Sequence, residues 1–237
     1  FSGCKSLRSL QFSNFETRSL KNMLSAFVGC ESLISLELPK MSTSQVMNFD
    51  KIFLNCKSLG KLDLSNWDTA QSATFEYTFC NCSSLTSIGI SNNFDTSYSK
   101  YFGSMFDGCE NLVNLDTKLI DTSSAKDTSS MFKNCKKLEK IETDNFNTNN
   151  VLKMGYMFAG CESLTSLSLK TLRTINANNM TRMFYGDSKL KYLDISGFET
   201  SSVKYYEQMF EGTTNMTLLI NLDKCKEIKD AIPEDFN

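Results

Sequence analysis

Hydrophobic and polar positions along the chain recur with a period of about 26 residues. Most repeats carry the pattern C-x-x-L-x-x-L-x-L, which ends in alternating apolar and polar residues. Alternation with a period of two predicts a short β-strand with one buried face. A phenylalanine three residues before the cysteine position begins each repeat, and repeat positions are numbered from it. The repeats begin at Phe1, Phe27, Phe53, Phe79, Phe106, Phe132, Phe158, Phe184 and Phe210.

The other apolar positions of the first half of the repeat outline a core. Position 10 is leucine or isoleucine in every repeat, from Leu10 to Leu219, and position 12 is mostly apolar. Both are predicted to point inward, because residues two apart on a strand share a face. Position 15 is large and apolar, beginning with Phe15. Positions 9, 11 and 13 are mostly polar, so the strand is expected to separate a core from a polar outer face.

The second half of the repeat predicts a short helical turn. Apolar or small residues recur at positions 20, 23 and 26, a spacing that fits one face of a helix. Position 17 is threonine in eight repeats, Thr148 among them, and is predicted to be the helix N-cap. Position 3 is always glycine or asparagine. Because these residues tolerate positive φ, the turn is expected to end there.

The fixed period predicts the fold. A repeat of this length is the signature of a solenoid, whose units bury their apolar faces only by stacking. We predict an α/β solenoid: a right-handed leucine-rich-repeat coil of nine units, with a parallel β-sheet on one face and short helical turns on the other. The solenoid is predicted to span residues 1–222. Residues 223–237 leave the pattern and are rich in charge, which predicts a C-terminal cap or exit segment.

The repeat unit resembles that of a known family. The segments Cys161–Leu169 (C-E-S-L-T-S-L-S-L) and Leu64–Thr69 (L-S-N-W-D-T) carry the similarity most clearly. They are similar to the BspA-like leucine-rich repeats, the 26-residue repeat of bacterial surface proteins. The resemblance covers residues 1 to about 222 and implies a secreted or surface-anchored protein of a bacterium or a protist. It also implies adhesion to host matrix proteins or to other microbes, or a role in uptake, and it supplies no catalytic residues.

Composition and charge exclude several classes of function. The chain has 237 residues, with 25 basic and 27 acidic side chains, and so offers no electrostatic footprint for nucleic acid. Its apolar runs are short, Leu218–Ile220 among them, whereas a membrane span needs about 20 residues. It contains no histidine, which removes imidazole as a base or a metal ligand. We therefore expect no enzymatic activity, no cofactor, no metal ion, no nucleic-acid partner and no transmembrane segment.

The nine cysteines suggest a disulfide framework, a metal site or a row of buried thiols. Seven occupy position 4 of successive repeats: Cys4, Cys30, Cys56, Cys82, Cys109, Cys135 and Cys161. Equivalent side chains of a stack point in parallel into the core, and Asp187 and Thr213 replace the cysteine in later repeats. These observations favour reduced, buried thiols. Cys80 and Cys82 are the closest pair for a metal site, and Cys80 and Cys225 lie outside the row.

The outward strand positions form the candidate partner-binding face. Positions 9 and 11 are polar and include an acidic stripe, which suits a basic or glycan-bearing partner. The candidate residues are Glu37, Lys61, Asp63, Asp116, Lys140, Glu142, Tyr192 and Asp194. The simpler alternative is a solvated surface on which the lysines neutralise their neighbours. A weaker alternative joins Glu37 and Asp63, one strand apart, in carboxylate chemistry or calcium binding.

Two further features bear on function. Seven tyrosines form a second candidate surface, or are scattered: Tyr77, Tyr98, Tyr101, Tyr156, Tyr185, Tyr192 and Tyr205. The given sequence also begins at the first position of a repeat, without a capping segment, so an apolar end is expected to be exposed. The leading hypothesis is a cell-surface or secreted scaffold that mediates adhesion, binding a protein or glycan of a host matrix or another cell through the sheet face. The alternative is a structural spacer or fibre that self-associates end to end.

Overall fold

The computed structural model describes residues 1–12, 17–38, 41–118 and 120–237, and shows a parallel β-solenoid of about eight turns. Phe15 lies outside the described residues. The strands are β1 (Ser9–Gln11), β2 (Ser35–Glu37), β3 (Lys61–Asp63), β4 (Ser87–Gly89), β5 (Ser166–Ser168), β6 (Tyr192–Asp194) and β7 (Thr217–Leu219). One 3₁₀ helix, Lys226–Ala231, follows them in the described part of the chain. No helix in these ranges has the length and apolar character that crossing a membrane requires.

The strands confirm the predicted register of the repeat. β1 pairs with β2, β3 with β4, and β6 with both β5 and β7, always in parallel. Leu10 lies opposite Leu36, and Leu167 lies opposite Leu193, so equivalent positions of successive repeats are neighbours. The central residue of each strand points into the core and its first residue outward, as the alternation predicts.

The last coil departs from the register that the sequence predicts. β7 places Leu218, not Leu219, opposite Leu193. The side chain of Leu219 is 42% exposed, so its assignment to core position 10 is wrong. The ninth repeat is one residue shorter than the others between its buried Met216 and the residue that pairs with Leu193.

The far side of the coil consists of turns, and the predicted helical turns are not confirmed. The N–H of Ala26 donates to the carbonyl of Met23, but the intervening Ser25 N–H donates to Asp50 of the next coil, at 3.1 and 3.0 Å. A helix would direct every amide to a carbonyl of its own coil. Positive φ is confirmed at position 3, as at Gly29 (69°), and also occurs at position 25, as at Ser25 (58°). Because of these bends, some backbone amides donate to carbonyls of their own coil and others to carbonyls of the next coil.

The position 17 threonines bridge adjacent coils, so their predicted role as N-caps is wrong. The hydroxyl of Thr148 donates to the carbonyl of Arg173 at 2.8 Å and accepts the N–H of the same residue at 2.9 Å. Thr174 makes the same two contacts with Glu199, both at 2.8 Å. One buried hydroxyl thus satisfies a donor and an acceptor of the next coil's backbone.

We expect Thr148→Val to lower the free energy of unfolding by about 1–3 kcal/mol, since it removes the hydroxyl that pairs with the part-buried N–H and carbonyl of Arg173. Thr148→Ser keeps the hydroxyl and should retain most of that stability. Chemical denaturation of both variants measures the difference. Equal losses in the two variants would show that the hydroxyl contacts contribute nothing.

A continuous stack of phenylalanine rings runs through the core. The rings at position 1 face one another from Phe1 to Phe210 at centroid distances of 5.3–6.2 Å and interplanar angles of 2–13°. Phe236 closes this stack edge-on, 5.8 Å from Phe210. Cys225 and Ile228, around the 3₁₀ helix, are fully buried beside it. The backbone of Asn237 also bonds to the last strand, at the carbonyl of Met216 and the N–H of Leu218.

The cysteine row is a ladder of free thiols, as the sequence predicts. Each thiol from Cys30 to Cys161 donates to the carbonyl of a position 1 phenylalanine, as Cys135 does to Phe106 at 3.3 Å. Burial raises the pKa of Cys56 to about 12, and that of Cys135 well above its ordinary value. Cys4 is exposed and departs from the predicted burial.

Candidate partner-binding face

The outward side chains of the strands, together with those beside the Asn114–Lys140 bridge, form one surface, here called the sheet face. Glu37, Lys61 and Asp63 lie at its N-terminal end and are exposed. Tyr192 lies near its C-terminal end and is 36% exposed. The predicted residues therefore share one face but are spread along it.

The aspartates of position 11 shape the end of the strand. In each, one carboxylate oxygen accepts a backbone N–H from two residues later. The donors are Ser65 for Asp63, Lys118 for Asp116 and Ser196 for Asp194, at 2.9–3.0 Å. The hydrogen bonds from the backbone and side chain of Ser65 hold the pKa of Asp63 below its ordinary value. Asp194 is only 8% exposed, so it contributes more to the turn than to an accessible surface.

Glu37 and Asp63 are engaged separately. The carboxylate of Glu37 accepts a hydrogen bond from the amide of Gln11 at 2.9 Å, on the side away from β3. Asp63 is beside Gly89, where an added Cβ would lie 3.2 Å from its carboxylate oxygen. In the described ranges, no three acidic or thiol side chains come together as a metal site would require. The geometry thus gives no support to a calcium site at this pair.

A cleft of about 330 Å³ opens in the middle of the sheet face. This central cleft is lined by Asn114, Leu115, Asp116, Thr117, Lys118, Lys140 and Glu142. Its rim carries an ion pair in which the ammonium of Lys140 lies 3.2 Å from the carboxylate of Glu142. Both side chains are more than half exposed, so each can exchange its partner for a ligand group. Three of the eight predicted residues meet here.

Two buried threonines explain why the cleft lies at this place. In the third coil the position 12 amide bonds to the next coil, since Leu64 N–H donates to the carbonyl of Gly89 at 2.7 Å, and the amides of Leu169 and Ile195 do the same in the seventh and eighth coils. In the fifth and sixth coils the side chain makes this bond instead: the hydroxyl of Thr117 donates to Glu142, and that of Thr143 to Ser168. The coils here are joined by a single bridge, Asn114–Lys140, rather than by paired strands.

Sequence reasoning missed the contribution of these threonines. Position 12 was predicted to be apolar, and Thr117 and Thr143 are the two polar exceptions in adjacent repeats. Both are 2% exposed, so they point inward as position 12 should. Threonine in place of an apolar residue at position 12 was the available signal, since a buried hydroxyl must find a hydrogen-bond acceptor.

The tyrosines do not form a single patch. Tyr192 is on the sheet face, whereas Tyr101 and Tyr205 belong to the bridge ladder on the far side. Tyr156 and Tyr185 are brought together by the side chain of Arg182, which contacts both rings. A tyrosine-rich docking surface therefore gains support only at that one place.

Comparison with known proteins places the repeat in context. A family model described as "Mycoplasma protein of unknown function, DUF285" matches residues 1–114, 63–166 and 139–232. A solved leucine rich cell surface protein from Faecalibacterium prausnitzii A2-165 is 14% identical, with a TM-score of 0.35, over 96% of this chain and 77% of that one. A leucine-rich repeat protein from Bacteroides ovatus ATCC 8483 is 18% identical, with a TM-score of 0.40, over 90% and 69%. No curated protein matches the chain.

Proposed function

The chain belongs to the family described as Mycoplasma protein of unknown function, DUF285, and we propose that it is a non-enzymatic scaffold at the cell surface or outside the cell. The expected resemblance to bacterial surface-protein leucine-rich repeats is confirmed. In this proposal the scaffold mediates adhesion by binding a protein or a glycan of a host matrix or another cell. The binding surface is the sheet face, centred on the central cleft.

The central cleft is the observation that carries the proposal. It is a cleft on the sheet face, and concave sites with a few converging polar groups are typical of ligand binding. Lys140 and Glu142 place opposite charges at its rim, with Asp116 beside them. A partner that presents both charges, or hydroxyl groups that donate and accept, would complement this rim.

The sheet face extends on both sides of the central cleft and determines how long a partner it can contact. Parallel strands are about 4.8 Å apart, so the six coil steps from Glu37 to Tyr192 correspond to about 29 Å. That length suits an extended partner lying across several coils. We extend the proposal to the architecture: nine repeat units over residues 1–222, closed by residues 223–237 through the ring of Phe236.

A binding experiment on the intact chain tests the proposal. Immobilised chain is exposed to purified matrix proteins and mucin glycans, and we expect at least one to bind saturably. Lys140→Ala with Glu142→Ala should weaken that binding about tenfold, the loss of a 1.4 kcal/mol contribution. The control is Lys57→Ala with Glu31→Ala, which removes a similar exposed ion pair (3.0 Å) away from the cleft. No binding by any ligand, or equal losses in both pairs, would contradict the proposal.

End-to-end assembly remains the second candidate. A mostly apolar cleft of about 220 Å³ lies at the first coil, where Phe1 is 53% exposed and stacks on Phe27. Another ring could continue the stack there. Light scattering separates the candidates, since a chain that is strictly monomeric at high concentration does not assemble through this end.

A further inference from the structure

We propose a second binding site, on the opposite side of the coil from the sheet face, for a saccharide that carries a carboxylate. The site is a pocket of about 530 Å³ that extends from the end of the fifth coil to the eighth. This aromatic pocket is lined by Ser130, Lys133, Asn134, Tyr156, Ala159, Gly160, Glu162, Arg182, Tyr185 and Gly186. Its volume falls within the range of about 300–1,000 Å³ that is usual for small-ligand sites.

Glycine at position 3 of the seventh and eighth coils forms part of the floor of the pocket. In the third and fourth coils this position is asparagine, and the Asn81 amide donates to Asn55 at 2.9 Å, which fills the surface. In the seventh coil the side chain of Asn134 lies against Gly160, where an added Cβ would be 2.8 Å from its Oδ1, whereas Gly186 in the eighth coil is uncovered. An added Cβ at Gly186 would meet no atom within 4 Å, so this part of the floor is open space.

A guanidinium group held by two rings forms the wall of the pocket. The guanidinium of Arg182 lies over the ring of Tyr156 at 5.7 Å and over that of Tyr185 at 5.2 Å. It also donates to the Tyr156 hydroxyl at 3.1 Å, and its Nε donates to Gln208 at 2.5 Å. Because a guanidinium has five N–H groups, donors remain for a ligand carboxylate. These contacts and hydrogen bonds restrict the position of the guanidinium group before a ligand arrives.

The remaining lining groups favour a saccharide. Lys133 lies 5.6 Å from the centre of the Tyr156 ring and adds a second cation, which also contacts Asp107 at 3.7 Å. Asn134, Ser130 and Glu162 provide both donors and acceptors. Sugar hydroxyls use both kinds of partner, whereas the carboxylate side chains of an acidic peptide only accept hydrogen bonds. Partly exposed tyrosine rings offer flat apolar surface for a sugar ring.

This site is independent of the sheet face. The sheet face consists of positions 9 and 11, whereas the aromatic pocket consists mainly of positions 25 and 1–5 of the repeat. Variants in one site therefore leave the other intact, and each proposal can fail alone.

Titration of the intact chain with methyl glucuronide and with its neutral counterpart, methyl glucoside, tests the site by calorimetry and NMR. We expect the glucuronide to bind about tenfold more tightly, because only it can pair with Arg182. Arg182→Gln should abolish that preference. Gly186→Asn should weaken glucuronide binding about tenfold by filling the floor, as asparagine does in other coils.

The matched control is Gly29→Asn, the same exchange at the same repeat position in the second coil. An added Cβ at Gly29 would come no closer than 3.9 Å to any atom, so this variant should fold and bind as the unchanged chain does. The proposal is overturned if neither sugar binds, if both bind equally, or if the two glycine variants behave alike. Equal binding of an aspartate-rich peptide, lost in Gly186→Asn, would overturn the saccharide assignment.

Discussion

Replacing Phe132 with alanine is expected to lower the free energy of unfolding by about 3–5 kcal/mol. The ring is fully buried between Phe106 and Phe158, with centroid distances of 5.6 and 5.7 Å. It also contacts Phe146 at 6.2 Å. Its removal deletes stacking contacts with both neighbouring coils and leaves a cavity that these rigid coils cannot close.

Denaturant unfolding followed by circular dichroism measures this loss. Phe1→Ala is the control, since Phe1 belongs to the same row but is 53% exposed and has one stacked neighbour in the row. We expect it to cost about 1 kcal/mol or less, in proportion to its smaller burial. Because solenoid stability is a sum over units and their interfaces, Phe132→Ala should also broaden the transition as the two halves uncouple. Similar losses in the two variants would show that the stack does not determine stability.

The strands and the stacked core residues were predictable from the sequence because the same residue spacing recurs in every coil. A side chain such as Leu193 meets its own equivalent, Leu167, so the period fixes both the register and the neighbours. Nothing beyond the spacing was needed to place the phenylalanine and cysteine rows. The exception, Leu219, arose where one residue is missing from the last repeat, which spacing from Phe210 cannot reveal.

The far side could not be predicted in the same way. Spacings of three and four residues fit a helical turn, but they also fit a series of turns with positive φ at every second bend. The choice depends on where the amides point, and Ser25 N–H points to the next coil rather than along its own. Position 25 holds Ser25, Lys51 and Tyr77 with positive φ, although none is a residue that favours it. Inter-coil hydrogen bonds compensate for that strain.

The sequence predicted which residues of the candidate face point outward, but it did not predict the shape of that face. Alternation along the strand placed Lys140 and Glu142 outside, which is where they lie. The central cleft between them follows from inward residues, Thr117 and Thr143, whose hydroxyls replace backbone bonds. Outward side chains therefore supply the chemistry of the face, whereas a change in the core determines where it opens.

Asp187 interrupts the cysteine ladder, and its removal is expected to stabilise the chain at neutral pH. One oxygen of its buried carboxylate accepts the N–H of Cys161 at 2.8 Å. The other has no hydrogen-bond partner among the described residues. Burial raises the pKa of Asp187 well above its ordinary value. At neutral pH the fold must therefore either hold a poorly solvated charge or bind a proton.

The direction of the pH dependence follows from the raised pKa. The folded chain binds the Asp187 proton more tightly than the unfolded chain, in which the pKa is about 3.9. The stabilisation from this proton is complete below about pH 3.9 and is lost as the pH rises through the folded-state pKa. Asp187→Asn keeps an acceptor for Cys161 and removes the charge. Its free energy of unfolding at pH 7 should exceed that of the unchanged chain by about 1–3 kcal/mol.

Measuring unfolding from pH 3 to pH 8 tests this, because the advantage of Asp187→Asn should appear only above about pH 4. Asp187→Cys should behave alike, since a thiol there can donate to the carbonyl of Phe158, as Cys161 does to Phe132. Asp63→Asn is the control of opposite sign. The lowered pKa of Asp63 stabilises the fold above the unfolded-state value, so this variant should lose stability at neutral pH. Parallel curves for Asp187→Asn and the unchanged chain would mean that the carboxylate is solvated, and that the eighth coil is open where the structure shows it closed.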